Sequence, residues 1–130
     1  MKLRLASLDA PERGQPFGER SRQNLARLVA GKDVEVRWHK RDRYGRVVGQ
    51  VWVVSPDMPC HDKPECPKTL DVGLAQLTVG LAWHYKKYAG EQSEEDRERY
   101  AFAEVEARAK RAGLWRDPAP VAPWEWRRSR

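Results

Sequence analysis

Two carboxylates stand three residues apart in Asp9-Ala10-Pro11-Glu12, just after an arginine, Arg4, on an alternating run. Proline lacks a donor and restricts the residue before it, so this segment is a stiff turn that ends a strand. A hard cation is bound by carboxylate and carbonyl oxygens and can polarise a phosphate. A second carboxylate can position or deprotonate an attacking water. An arginine can clamp phosphate oxygens with two parallel hydrogen bonds and oppose the charge that builds at phosphorus. These are the parts that phosphodiester hydrolysis needs. A second group, Asp42-Arg43-Tyr44-Gly45-Arg46 running into Val47-Val48-Gly49, offers Arg46 as another phosphate clamp at the start of a strand. Taken singly, the first pattern passes for an exposed turn with solvated charges, and the second for a polar hairpin turn with Arg43 in solvent.

The elements that must position these groups follow from periodicity. Residues 3–8 alternate large apolar residues with others and predict a strand. Pro16 can open a helix, Leu25, Leu28 and Val29 follow at helical spacing, and Gly31 is a natural stop, so a helix is expected over 17–30. Val34, Val36 and Trp38 share one face of a strand, Gly45 sits at a bend, and 47–54 is a second strand, so 33–54 reads as a hairpin. Residues 55–70 hold four prolines and both cysteines without periodicity, an irregular loop. Asp71 can cap a helix with Leu74, Leu77, Thr78 and Leu81 on one face. A polar, aromatic connector covers 83–92. Ser93 followed by Glu94, Glu95 and Asp96 starts a helix that runs to about Ala112, where Gly113 ends it. The tail 114–130, with three prolines and three tryptophans, is expected to wrap the body as extended chain. Only three strands are visible, few for a sheet that must cover several helices.

At 130 residues the chain is one domain's worth, and 40% hydrophobic residues mark it as globular. Lys plus Arg number 25 against 19 Asp plus Glu, a net charge of +6 that suggests an anionic partner such as nucleic acid. No apolar run is long enough to span a bilayer, and Met1-Lys2-Leu3-Arg4 meets charge too soon to read as a signal peptide.

The pair Arg4-to-Glu12 and Asp42-to-Arg46, with a helix between, resembles the core signature of the staphylococcal nuclease family. The second half agrees: Asp71-Val72-Gly73 opening a helix, then Gly80-Leu81-Ala82-Trp83-His84-Tyr85, Tyr88, Glu104, Ala107-Arg108 and Gly113-Leu114-Trp115. The closing Pro123-Trp124-Glu125-Trp126-Arg127 is similar to tails of bacterial members. The resemblance implies an α+β fold, an OB-type five-stranded Greek-key barrel with three helices, here incomplete at its amino-terminal end. It implies a calcium-dependent phosphodiesterase, an endonuclease acting on DNA and RNA, with 1–130 as a single nuclease domain. Arg4 and Arg46 would contact the scissile phosphate, and Glu12 would act as general base on water. Asp9 would ligate Ca2+ beside the Ala10 backbone carbonyl. Arg43, Tyr44 and Tyr88 would line the nucleotide site, where rings stack on bases. A monomer without membrane attachment is expected, and the resemblance is compatible with a secreted or periplasmic place.

Three departures stand out. Family members carry two further strands joined through a Gly-Asp-Thr/Ser motif whose Asp is another calcium carboxylate, and this chain starts after that point. Its loss supports an alternative, a catalytically weak or inactive nucleic-acid-binding module. Gly73 stands where the family usually has Asn, and the 55–70 loop is longer than the simplest members need. Within that loop Cys60, His61 and Cys66 do not make the four-ligand set of a structural zinc site, and a disulfide and free thiols both remain open. His84 reads as a packing or surface histidine, and His39 lies on the outer face of a strand. Trp115, Trp124 and Trp126 are expected to hold the tail down or stack on bases.

Overall fold

A computed structural model describes residues 2–129, with the side chain of His39 outside the described set. The expected first strand forms as two pieces, β1 (Leu3–Leu5) and β2 (Leu8–Asp9), because Ser7 turns to φ 57° between them. Helix α1 (Gly18–Val29) follows, and then the hairpin of β3 (Glu35–Arg41) and β4 (Val47–Val53), with Gly45 at φ 80° in its turn. Val36 packs inward as its alternation predicts, but Trp38 stays 56% exposed next to a register shift before Lys40.

Strand β4 organises the sheet. Its whole length pairs antiparallel with β3, from Glu35↔Trp52 to Arg41↔Val47. Its other edge is shared: β1 pairs parallel with its first half, Leu3↔Val47 to Leu5↔Gly49, and the two-residue β5 (Leu70–Asp71) pairs antiparallel with its end. A separate ladder joins β2 to β6 (Trp83–His84), with Leu8 opposite His84 and Asp9 opposite Trp83. The sequence shows neither β5 nor β6, since two residues carry no period to read. Among the described residues the strands form a four-stranded and a two-stranded sheet, and no closed barrel.

The predicted caps form. Asp71 accepts from the Gly73 and Leu74 N–H groups at 3.0 and 3.3 Å and opens α2 (Val72–Thr78). At Gly73 a Cβ would lie 2.7 Å from a Leu8 methyl carbon and 3.0 Å from the Tyr100 hydroxyl, so a side chain here requires those two groups to shift. Ser93 accepts from Asp96 N–H at 3.2 Å and opens α3 (Glu94–Ala109). The 55–70 loop is a succession of tight turns with consecutive i to i+3 backbone bonds at Met58, His61, Lys63 and Cys66. Cys60 and Cys66 are joined as a disulfide, with Cα atoms 5.4 Å apart.

Three apolar clusters fill the interior. Val51, Val53 and Val72 pack with Leu25, Leu28 and Val29 of α1. Leu8, Leu77, Ala82, Tyr100 and Ala103 join β2 to α2 and α3. Trp83, Ala107, Leu114, Trp115 and Ala122 bind the tail. The tail departs from its expected extended form: a 3₁₀ turn spans Gly113–Arg116, and Pro123 opens a fourth helix, α4 (Pro123–Arg128). Proline at the first turn loses no intrahelical bond, so a sequence read as a breaker acts as a starter. Trp115 and Trp124 meet Trp83 at ring separations of 4.6 and 5.5 Å, and Trp124 stacks on Tyr85 at 4.5 Å.

The tail is seated by a close backbone approach. Gly80 (φ 74°) and Gly113 (φ 54°) face each other, and the Leu114 N–H donates to the Gly80 carbonyl at 2.8 Å. A Cβ on Gly113 would fall 2.3 Å from the Gly80 oxygen. Gly113→Ala therefore combines left-handed strain with backbone overlap and is expected to cost at least about 2 kcal/mol in urea unfolding; a loss within about 0.5 kcal/mol, ordinary for a surface change, would contradict this packing.

Candidate active site

One open cavity of about 670 Å³ is lined by Arg4, Asp9, Glu12, Arg43, Tyr44, Arg46 and Tyr88, which are all the site side chains expected from the sequence. Ala10, whose backbone alone was implicated, is exposed and lines the adjoining hollow with Asp9 and Glu12. The strands explain the convergence. Parallel pairing sets Arg4 beside Val48, so the arginine of β1 lies next to the turn that carries Arg46. The break at Ser7 redirects the chain into β2, whose end holds Asp9.

Glu12 is held through its backbone. Its N–H donates to the Gln15 side-chain oxygen at 2.9 Å, and its carbonyl accepts from Gln15 N–H at 2.9 Å. The Gln15 amide in turn donates to the Val121 carbonyl at 2.5 Å, tying the turn to the tail. Gly18 begins α1 against this turn, and a Cβ there would lie 2.0 Å from the Glu12 carbonyl oxygen.

Asp42 is the hub of the second group. One carboxylate oxygen accepts from the Tyr44 and Arg46 N–H groups at 2.9 and 3.0 Å, shaping the hairpin turn. The other accepts from Arg46 Nε at 2.7 Å and lies 3.4 Å from Arg4 Nε. Burial pushes the Asp42 carboxyl up, but the Arg46 backbone and guanidinium, the Tyr44 N–H and the Arg46 charge bring it down to about 2. Arg4 and Arg46 are thus anchored on one carboxylate. Tyr44, 68% exposed, lies beneath the guanidinium groups of Arg43 and Arg46, and Tyr88 lies beneath that of Arg4.

Two participants were given no role from the sequence. Glu91 grips the end of the Arg4 guanidinium with two hydrogen bonds, at 3.2 and 2.6 Å, from a segment read as a mere connector. Arg127 of α4 reaches back to bridge Asp9, at 3.2 and 2.6 Å, and Glu12, at 2.5 Å. The hydrogen bonds to Asp9 raise its pKa above the usual arginine value, against the opposing pull of burial, and the bond to Glu12 and both carboxylate charges add to the rise. Glu91 stands in no quoted motif, and Arg127 closes the quoted tail motif without any spacing that shows its partners, since each acts across the fold. Asp42 was in the quoted motif and could have been found by its position, two and four residues before the N–H groups it accepts.

His84 is buried, and its N–H donates to Glu104 at 2.7 Å, which also takes Lys86 at 2.8 Å. Burial lowers its pKa, and its ring packs edge-on against Tyr100 with ring centres 5.9 Å apart. Among the described residues no group of three or more His, Cys, Asp or Glu side chains is placed to hold a metal.

The family model for staphylococcal nuclease homologues matches residues 2–117. Protein ParB of Escherichia coli is 43% identical over 128 residues, which cover 98% of this chain and 67% of that protein. A micrococcal nuclease of Shigella flexneri is 38% identical over 129 residues, 99% of this chain and 69% of its own length. Staphylococcal-like nuclease CAN1 of Arabidopsis thaliana is 36% identical over 129 residues, and this chain covers 99% of itself and 34% of that protein. A family match over nearly the whole chain coincides with a single cavity that gathers the expected arginines and carboxylates, and the chain belongs to the staphylococcal nuclease family, as an enzyme of the nuclease kind.

Proposed function

We propose that the chain is a calcium-dependent endonuclease that hydrolyses phosphodiester bonds in DNA and RNA, with 1–130 acting as one nuclease domain. The observation that carries this reading is the convergence of Arg4, Asp9, Glu12 and Arg46 on one open, basic cavity flanked by Tyr44 and Tyr88. Such a cavity suits a chain of phosphates with bases alongside. The reading carries with it the OB-type five-stranded Greek-key barrel of the family, of which the sheet around β4 and the β2–β6 ladder would be parts.

The donor set fits a hard cation in kind. Asp9 and Glu12 are carboxylates a few residues apart, the Ala10 carbonyl adjoins them, and a guanidinium already draws both side chains together. In number they fall short of the six to eight oxygens Ca2+ takes, so waters and substrate would complete its shell. Asp9 and the Ala10 carbonyl would hold the ion, which when bound polarises the phosphate. The other steps belong to side chains. Glu12 takes a proton from the attacking water at a carboxylate oxygen. Arg4 and Arg46 donate to the non-bridging oxygens and oppose the charge that grows on them as the water adds and the opposite P–O ester bond breaks, its oxygen leaving to take a proton from solvent. Asp42 holds both arginines in place before substrate arrives, which keeps their reorganisation small. Tyr44, Tyr88 and Arg43 seat the nucleotide.

Glu12→Gln and Arg46→Ala are each expected to slow plasmid digestion by roughly 10²–10⁴-fold, the usual loss of a base or a transition-state donor; wild-type rates in both would overturn the assignment. Chelation with EGTA is expected to stop cleavage and added Ca2+ to restore it, and cleavage that persists without divalent metal would remove the calcium. Arg127 occupies the acidic pair, so Arg127→Ala is expected to tighten Ca2+ binding in titration calorimetry by up to about fivefold, the reach of a half-exposed ion pair. Unchanged affinity would show that Arg127 does not compete. The Asp42 carboxyl is lowered from 3.8 to about 2 in the folded protein, so its contribution is complete above about pH 4 and is lost as pH falls through about 2. Asp42→Asn is expected to flatten the pH dependence of the urea midpoint in that window.

A further inference from the structure

Glu91 closes the 3₁₀ segment Lys86–Glu91, and its side chain is only 4% exposed. Both of its oxygens are used. One accepts from Arg4 Nη1 at 3.2 Å and from the Ser7 N–H at 3.0 Å. The other accepts from Arg4 Nη2 at 2.6 Å, with Lys40 Nζ 3.2 Å away. Burial pushes the carboxyl up, but the bonds from Arg4 and Ser7, the Arg4 charge and Lys40 bring it below the usual glutamate range, so it stays ionised.

The grip leaves Arg4 little freedom. Glu91 takes the end of the guanidinium, Asp42 faces its Nε at 3.4 Å, and its Cζ lies over the Tyr88 ring, 4.9 Å from the ring centre. Tyr88 and Glu91 sit on the same short segment. That segment is fixed to the strand carrying Arg4, because Ser7 Oγ donates to the Tyr88 carbonyl at 2.6 Å and Ser7 O accepts from Tyr85 N–H at 2.8 Å. A guanidinium has five donors in a rigid fork, and three meet Glu91 and Asp42, so one hydrogen on each Nη, on opposite sides of the fork, remains for a phosphate. A buried ion pair adds little net stability, so orientation is the larger effect of this one. We infer that Glu91 is the positioning residue of Arg4, holding the plane of its fork in one orientation in the cavity wall. The inference rests on the proposed phosphodiesterase reading and deepens it.

The test is a double-mutant cycle on the full chain with a single-stranded oligonucleotide. Glu91→Gln keeps size and one acceptor but removes the charge. It is expected to lower kcat by roughly 10–100-fold, the scale of a misplaced catalytic group, with KM changed less than about twofold. In an Arg4→Ala background the same substitution is expected to change kcat no further, since there is no fork left to aim. An equal further fall in that background, or wild-type kcat in Glu91→Gln while Arg4→Ala is slow, would overturn the inference. Wild-type kcat in Arg4→Ala would instead remove Arg4 from the mechanism, and the inference with it. A readout free of activity is the Arg4 Nε–H signal in nitrogen-edited NMR, identified by its absence in Arg4→Ala. It is expected to be sharp in the wild type and exchange-broadened in Glu91→Gln, and an unchanged signal would count against positioning. Should Glu91→Gln not fold, Glu91→Asp, which keeps the charge and draws the carboxylate back by one methylene, carries the same cycle with the same expected outcomes.

Discussion

Every polar group of Ser7 binds the segment 85–91. Its N–H donates to Glu91, its hydroxyl to the Tyr88 carbonyl, and its carbonyl accepts from the Tyr85 N–H. Ser7 is fully buried and sits at φ 57°, where a short polar side chain is tolerated and a bulky one is not. This single kink divides the first strand. Upstream, β1 lies parallel to β4 and delivers Arg4. Downstream, β2 lies against β6 and delivers Asp9, with Glu12 on the turn beyond. Were the strand straight, arginine and carboxylates could not face one cavity from a single short stretch of chain.

Charge in the cavity is arranged in opposed pairs. Asp42 and Glu91 hold the arginines, and Arg127 holds the carboxylates. Each pair lowers the cost of gathering like charges, while the net +6 of the chain still favours a polyanion. The arrangement also separates duties. Arg4 is largely buried and pinned on three sides, whereas Arg46 is 38% exposed and held by Asp42 with the Tyr44 ring beneath it. Arg43 and Tyr44, more exposed still, are free to adapt to whatever lies along the rim.

The tail belongs to this design through packing. Gly80 and Gly113 allow two backbones to touch, and the tryptophans of 83, 115 and 124 then lock the turn that leads to α4. Only with that helix in place does Arg127 reach Asp9 and Glu12. The Gln15 bond to Val121 couples the same tail to the turn that bears Glu12. Stability of the carboxyl-terminal segment and the electrostatics of the cavity are therefore set by one set of contacts.

The sequence by itself determined what is local. The Asp71 and Ser93 caps, the bend at Gly45, the 33–54 hairpin and the helix before it all follow from hydrogen bonds or apolar spacings within a few residues. The family's ordered motif also pointed to Arg4, Asp9, Glu12 and Arg46, whose types are fixed by chemistry. Only the tertiary structure decided what depends on distant partners. The Arg4–Glu91 pair spans 87 positions and the Arg127–Asp9 pair 118. Strands β5 and β6 exist because β4 and β2 offer them open edges, and the Cys60–Cys66 bond because successive turns bring those residues together. A glutamate in a polar connector or an arginine in a tail looks like any solvated charge, because nothing within a helical turn of it records which carboxylate or guanidinium the fold will bring alongside.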